Sequence, residues 1–355
     1  MSQQMQDNGQ KQVDEKFMQR ALDLAVLGAG KVSPNPMVGC VIVHQEQIIG
    51  EGWHRFYGKA HAEVNAVNAV ENKALLSEAT VYVTLEPCAH QGKTPPCADL
   101  LTKHQVKRVV VCNRDPHPLV GGKGLEKLRM AGIEVTVGIL EAQGKELNKR
   151  FFTGLLKQRP YVIFKWAETA DGFIARKNYE SKWISNKMSR MLVHKWRTEE
   201  DSIMVGSNTA RYDNPKLNAR LWKGRNPARV VIDRRLKLPS NLHLYNQQQL
   251  TLVYNQLSRS QASNLEFVKL DKDKFLEEVL LDLYEKNIRS VIVEGGSTLI
   301  NLLIEQNMWD EARVFKSTQT VFHEGIKAPK VQGHLVNTER IMDDFYYEYR
   351  PITTS

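Results

Sequence analysis

The sequence predicts two successive α/β domains. Helix-like and strand-like segments alternate along the whole chain, and 355 residues exceed one ordinary domain. A charged stretch near the middle places the break. Taking the elements in order, residues 1–12 are polar and are expected to form a disordered tail. From Val13 to Leu27, Phe17, Ala21 and Leu24 recur at helical spacing. Ser33-Pro-Asn-Pro-Met37 breaks that helix, and Val38-Gly-Cys-Val-Ile-Val43 reads as a buried strand. A helix over 62–70, a strand over 80–85, a helix over 98–103 and a strand over 106–112 follow, then a helix over 124–131 and a strand over 133–137. Glu141–Pro160 is charged, and the boundary is set near residue 148, giving domains 13–148 and 149–355. Tyr161-Val-Ile-Phe-Lys165 opens the second domain; strands are expected at 202–205, 229–233, 250–254 and 290–294, and helices at 189–197, 274–285 and 298–306.

Composition narrows the function. With 42% hydrophobic and 25% charged residues the chain has the make-up of a soluble globular protein. No apolar run reaches the length of a membrane span, and the charged N-terminal segment is unlike a secretory signal. Four cysteines are too few for a disulfide scaffold, so a reducing, cytoplasmic compartment without membrane partners is expected. The net charge of +9 resides in residues 151–230, which hold 16 Lys and Arg against 7 Asp and Glu; residues 1–150 carry +2 and 231–355 carry −2. Such a local excess suits small polyanions. Neither G-x-G-x-x-G nor a G-x-x-x-x-G-K-[ST] loop occurs, which disfavours a standard dinucleotide fold and a P-loop.

The chemistry-bearing residues of the first half are His61-Ala-Glu63, Glu86-Pro-Cys88 and Cys97. One imidazole and two thiolates make a three-ligand zinc site with an open position, the catalytic form. A water there is acidified toward neutral pH, and Glu63, two residues from His61, can reach it without binding metal, as a general acid/base. Taken singly each residue has a plainer reading: a capped histidine, or a cysteine acting as a small hydrophobe. Together, H-x-E before a helix and P-C after a strand match the zinc deaminase signature, except that eight residues, not two, separate the cysteines. Cys40 and Cys112 lie in apolar strands and are assigned to the core.

That longer spacing carries a resemblance. Thr84-Leu-Glu-Pro-Cys-Ala-His-Gln-Gly-Lys-Thr-Pro-Pro-Cys97, Pro34-Asn-Pro-Met-Val-Gly39 and His61-Ala-Glu-Val64 resemble the deaminase half of the bifunctional riboflavin-biosynthesis deaminase/reductases. The resemblance extends over the whole chain. It implies an N-terminal cytidine-deaminase-like α/β/α domain and a C-terminal dihydrofolate-reductase-like α/β domain. The first would hydrolyse an amino group from a diaminopyrimidinone bearing a ribosylamino 5′-phosphate. His61, Cys88 and Cys97 would hold one zinc, Glu63 would shuttle protons, Asn35 and His54 would line the substrate pocket, and His90 and Lys93 would face the phosphate. This chain has Lys93 where many relatives have arginine, and Asp115-Pro-His117-Pro where they have Asp-Pro-Asn-Pro.

In the second half, Val291-Ile-Val-Glu-Gly-Gly-Ser297 reads as a strand, a Gly-Gly turn and a helix start, a place where backbone approaches a ligand and offers N–H groups to phosphate. Lys165-Trp-Ala-Glu-Thr-Ala-Asp-Gly172, Ser181-Lys-Trp-Ile-Ser185, Val205-Gly-Ser-Asn-Thr209, Asp213-Asn-Pro-Lys-Leu217 and Arg220 resemble the family's reductase motifs. The resemblance implies NADPH contacts at Ala167, Trp183, Thr209, Asp213, Gly296, Ser297, Thr298, Leu299, Ile300 and Asn301. It implies substrate contacts at Lys165, Ser181, Arg197, Leu217, Arg220 and Glu294, with the ribosyl group reduced to a ribityl chain. Arg197 and Arg220 suit a phosphate, and Lys165 and Glu294 could exchange a proton. Arg313-Val-Phe-Lys-Ser-Thr318 lacks the family's apolar strand, so the C-terminal strands are expected to pack differently. A homo-oligomer, dimer or tetramer, through the reductase domain is a further implication. The competing reading is a zinc nucleobase deaminase of the tRNA type whose basic second half binds nucleic acid or is non-catalytic. Residues 151–355 show no aromatic platform and no zinc knuckle, so no nucleic-acid partner is expected.

Overall fold

The computed structural model describes residues 2–90, 95–117, 121–179, 183–270 and 273–352, with side chains from residue 8 onward. Its contacts divide the chain into two compact units, Met1–Gln158 and Arg159–Ser355.

The first unit runs α1 (Ser2–Val26), β1 (Gly39–His44), β2 (Gln47–Trp53), α2 (Ala62–Ala69), β3 (Thr80–Leu85), α3 (Cys97–Lys103), β4 (Arg108–Asn113), α4 (Lys123–Met130), β5 (Glu134–Val137), α5 (Glu141–Leu147) and α6 (Lys149–Lys157). The sheet order is β2-β1-β3-β4-β5, antiparallel on both sides of β1 and parallel from β3 to β5. Strand periodicity builds three layers. Cys40, Ile42, Val81, Val83, Val109 and Val111 pack on one face with α2, α3 and α4, while Val41, Val43, Tyr82, Val110 and Cys112 meet α1 on the other. Asp14 of α1, 2% exposed, pins that helix to the sheet by accepting from both Arg108 guanidinium nitrogens at 2.8 Å and from the Tyr82 hydroxyl at 2.9 Å.

Two sequence expectations change here. Residues 2–12, expected as a disordered tail, form the opening turns of α1, because Gln, Met and Lys are good helix formers; the side chains of residues 8–12 are all exposed. The division falls after Gln158 where 148 was expected. Asn148 is 3% exposed, and its amide donates to the Met37 carbonyl and accepts from the Met37 N–H, each at 2.8 Å. A break after 148 would leave this buried clamp at the very end of the unit and detach α6, which belongs to it.

The second unit runs β6 (Tyr161–Glu168), β7 (Phe173–Ala175), α7 (Lys187–Glu199), β8 (Ser202–Gly206), α8 (Ser207–Asp213), β9 (Ala228–Ile232), β10 (Thr251–Asn255), β11 (Leu265–Lys269), α9 (Phe275–Glu285), β12 (Ser290–Glu294), α10 (Ser297–Glu305), β13 (Glu311–Ser317), β14 (Ile326–Lys327), β15 (Gly333–Ile341) and β16 (Asp344–Pro351). Nine strands form one sheet in the order β11-β10-β9-β8-β12-β6-β13-β16-β15. Seven run parallel, and β16 is antiparallel to both β13 and β15. Val162, Phe164, Val291 and Val293 face α9 and α10, while Ile163 and Ile292 face Val193 and Trp196 of α7. The segment whose lack of an apolar strand led to that expectation is an interior strand: Arg313 sits within β13, register-paired with Lys165 of β6 and Glu348 of β16. It is 6% exposed, donates to Glu311 and lies 4.5 Å from the Trp196 ring, so its partners offset the burial of its charge.

Candidate functional site

In the first unit the site forms where β3 ends and two helices begin. His61 is the N-cap of α2, which places Glu63 on that helix's first turn; Cys88 follows β3, and Cys97 opens α3. His61 Nδ1 lies 3.6 Å from Cys88 Sγ and 3.3 Å from Cys97 Sγ, and the three donor atoms are all within 4.8 Å of one another. A tetrahedral zinc with Zn–N near ~2.05 Å and Zn–S near ~2.3 Å separates its N and S ligands by about 3.6 Å, so the triangle and its donor chemistry fit that ion. The Cys97 N–H donates to Cys88 Sγ at 3.3 Å. Hydrogen bonds from the Cys97 thiol and from His61 hold the Cys88 thiol well below its ordinary range, so one thiolate is available. Glu63 is 4% exposed, and burial pushes its carboxyl up to about 7.

His54 lies beside this cluster, its ring edge-on to that of His61 with centroids 5.6 Å apart. Its Nδ1 meets the Ala60 carbonyl at 3.1 Å, leaving Nε2 to accept from the Asn35 amide at 3.3 Å. Burial lowers its pKa, so the ring is neutral. Asn35, Asn148 and Met37 form one chain of contacts, since the Met37 clamp fixes the loop that presents Asn35. His90 is exposed, and Lys93 lies outside the described residues.

Glu86, one residue before the Pro-Cys turn, was read only as part of the motif. Its carboxylate accepts from Gly122 (2.8 and 2.9 Å), Gly124 (2.9 Å) and Asp115 (3.2 Å), tying the start of α4 and the Asp115 loop to the turn that carries Cys88. Gly124 permits the approach: a Cβ there would run into the Pro87 carbonyl oxygen. These partners lie about 30 to 40 residues downstream, beyond the reach of any local pattern. His117 N–H donates to the Asp115 carboxylate at 2.8 Å, closing that loop.

In the second unit a cavity of about 1060 Å³ opens at the ends of the parallel strands. That is where ligands bind open α/β sheets. Lys165 and Glu294 are register partners on β6 and β12, and both line it. Arg197 grips Glu294 with a two-bond fork, Nε to Oε1 at 3.0 Å and Nη2 to Oε2 at 2.7 Å, while Nη1 donates to the Asn218 carbonyl at 2.9 Å. Burial alone would raise the Glu294 pKa; Arg197 and Lys165 outweigh it and hold the carboxylate below its usual range. Burial pulls Lys165 down, against Glu294.

Ala167, Trp183, Thr209, Asp213, Leu217, Arg220, Gly296, Ser297, Thr298 and Leu299 also line the cavity. Ile300 and Asn301 do not: Ile300 is fully buried against the core and Asn301 is exposed on α10. Ser181 lies outside the described residues. Gly295 and Gly296 have φ of 70° and 73°, and a Cβ on Gly296 would lie 2.9 Å from Thr209 Oγ1. The turn is thus a cradle that side chains would fill, as a bound phosphate requires. His194, which sequence reasoning missed, lines the same wall one helical turn before Arg197; burial, then Arg197 and Arg220, push its pKa down to about 4.

Comparison with known proteins agrees with this geometry. Residues 11–113 match the model of the cytidine and deoxycytidylate deaminase zinc-binding region, and residues 160–319 match that of the RibD C-terminal domain. The riboflavin biosynthesis protein RibD of Aquifex aeolicus is 40% identical over 329 residues, 91% of this chain and 89% of that protein. RibD of Bacillus amyloliquefaciens is 39% identical, covering 85% of this chain and 84% of its own. A crystal structure from Thermotoga maritima is titled a diaminohydroxyphosphoribosylaminopyrimidine deaminase/5-amino-6-(5-phosphoribosylamino)uracil reductase. It superposes with a TM-score of 0.88 at 39% identity, over 97% of this chain and all of that one. No helix among the described residues is long and apolar enough to cross a membrane.

Proposed function

Since the chain belongs to the RibD family of bifunctional riboflavin-biosynthesis enzymes, a zinc-binding deaminase half followed by a reductase half, we propose how its residues divide the two reactions. The substrate of the first is 2,5-diamino-6-ribosylamino-4-pyrimidinone 5′-phosphate. Water adds at the ring carbon bearing the 2-amino group, ammonia leaves, and the uracil ring remains. His61, Cys88 and Cys97 hold zinc, which when bound supplies Lewis acidity to the attacking water. Glu63 takes the proton from that water and returns it to the departing amine, a shuttle suited to a buried carboxyl whose pKa burial raises. Asn35 and His54 orient the pyrimidine, and Lys93 with His90 meets the 5′-phosphate. The carrying observation is the convergence of His61, Cys88 and Cys97 within 4.8 Å of one another beside a buried Glu63.

The second reaction converts the ribosyl group to ribityl. The C1′–O4′ bond breaks as the amino nitrogen forms an iminium and O4′ takes a proton from Lys165. The charge of Glu294, its register partner, favours the charged form of Lys165, and Arg197 holds Glu294. Ala167, Thr209 and the Gly296 turn would hold NADPH, whose chemistry there would be hydride donation to C1′. Trp183, Asp213 and the start of α10 complete the cofactor wall; Ser181, Leu217 and Arg220 hold the substrate. A cytoplasmic homo-oligomer joined through the reductase half accords with this reading.

One preparation tests both halves. The whole chain should release ammonia from the diaminopyrimidine and then consume NADPH absorbance with the deaminated product. Ammonia without NADPH loss would refute the second assignment, and tRNA deamination in place of both would refute the reading entirely.

A further inference from the structure

Arg229, on β9, is 1% exposed, and the reading above gives it no task. Among the described residues no carboxylate lies within ion-pair distance of its guanidinium. Its partners are neutral oxygens. The Lys216 carbonyl accepts from Nε at 3.1 Å and from Nη2 at 2.9 Å, while Nη1 donates to the His243 carbonyl at 3.2 Å and to Asn246 Oδ1 at 2.8 Å. Burial lowers its pKa to about 10, so the group stays charged at neutral pH. A buried cation with no counter-charge is costly to keep, and the peptide it grips supplies a reason for it.

The Lys216 carbonyl belongs to the peptide that leads into Leu217. Leu217 packs its side chain in the core, 2% exposed, yet it lines the cavity, so what the cavity meets is its backbone. Its φ of 47° lies in the left-handed region, which a leucine adopts only when its surroundings impose it. Three distant side chains do so. The carbonyls of Lys216, Leu217 and Asn218 are held in turn by Arg229, by Gln249 Nε2 at 3.1 Å and by Arg197 Nη1 at 2.9 Å. In a trans peptide the carbonyl and the following N–H point opposite ways. Drawing the Lys216 oxygen into the core therefore turns the Leu217 N–H toward the cavity, and among the described residues that N–H has no acceptor. An orphaned N–H in so buried a residue is rare. Arg220, three residues on, lines the same wall, and its Nη1 donates only to the neutral Asn218 Oδ1, at 3.1 Å. A free N–H beside a cation suits an anion, and the anionic group of the substrate is its 5′-phosphate.

Resting on the reductase reading, we infer that Arg229 is a positioning residue for that phosphate. It fixes the Lys216–Leu217 peptide so that the Leu217 N–H donates to the phosphate, and its charge, acting through the same peptide, strengthens the donor. The test compares kcat/KM for NADPH oxidation by the whole chain with the deaminated substrate and with its dephosphorylated form. The wild type should favour the phosphorylated compound. Arg229→Met should lower that ratio ~tenfold, the worth of one charge-assisted hydrogen bond, through KM more than through kcat. Arg229→Lys, which keeps the charge and one donor, should recover part of it. NADPH binding, followed by its fluorescence, reports that the second unit is folded. Where Arg229→Met fails that control, Gln249→Leu, which frees the next carbonyl of the same loop, decides, and it should move the ratio the same way. An unmoved ratio in the folded variant, equal losses on both substrates, or a wild type indifferent to the phosphate would overturn the inference. A wild type that oxidises NADPH with neither substrate would bring down the reductase reading itself.

Discussion

Replacing Arg197 with methionine should change the pH dependence of the reductase and not merely its rate. Arg197 and Glu294 are 10% and 12% exposed in their side chains and share two hydrogen bonds, so the substitution leaves a buried carboxylate with Lys165 as its remaining cation. Removing one partner of a buried pair costs about 3–5 kcal/mol. Because Lys165 stays, the lower figure applies, and ~3 kcal/mol at 1.36 kcal/mol per unit moves the Glu294 pKa up by about two units. The wild-type carboxylate lies below its ordinary value, so its stabilising contribution is present above the unfolded pKa and fades as pH falls through the folded one. In the variant the sign reverses: a raised folded pKa destabilises near neutrality, and the deficit shrinks as pH falls. The assay is kcat/KM for NADPH oxidation with the deaminated substrate between pH 5 and 9, with urea midpoints at pH 5 and pH 8. An acid limb that in the wild type lies below this window should move up into its acid end, and the stability deficit should be smaller at pH 5. A uniform loss of rate with an unmoved limb would refute the reasoning and make Arg197 a simple phosphate ligand.

Three other outcomes are expected. Glu63→Gln should retain one zinc per chain by metal analysis while ammonia release falls ~10²–10⁴-fold, the usual worth of a general acid/base; an unchanged rate would remove Glu63 from the mechanism. Chelation of the metal should abolish ammonia release, restorable by zinc, while NADPH consumption on deaminated substrate continues; loss of both activities would contradict separate chemistry in the two halves. Asn148→Leu gives up two hydrogen bonds and strands the Met37 N–H and carbonyl, which should destabilise the first unit by about 2–4 kcal/mol in urea titration. It should also raise the deaminase KM, because the loop bearing Asn35 loosens; an unaltered KM would show that the clamp serves stability alone.

What could be read from the sequence follows from how locally each feature is encoded. The candidate metal cluster was legible because His61 and Glu63 share the start of one helix, and because Cys88 and Cys97 flank one loop between β3 and α3. The central strands were legible because both their faces are buried, so Val81–Val83 and Val109–Val111 are apolar without interruption. Edge strands were not. Nearly every residue of β15 is exposed, and β2 is half exposed and interrupted by Gly50 and Gly52, so neither shows an apolar period. β13 was misjudged for the opposite reason, since a buried Arg313 looks hydrophilic until Glu311 and the Trp196 ring are seen around it. The features that position the chemistry are the least local of all. Asn148 acts on a residue 111 positions away, Glu86 on N–H groups 29 to 38 positions away, and Arg197 on a carboxylate 97 positions away. Each is a polar side chain whose sequence context reads as surface. Burial converts each into a device that fixes a loop or a charge, because a buried polar group must find partners or destabilise the fold. Motifs therefore disclose which atoms react, whereas the residues that aim those atoms become visible only when the chain has closed on itself.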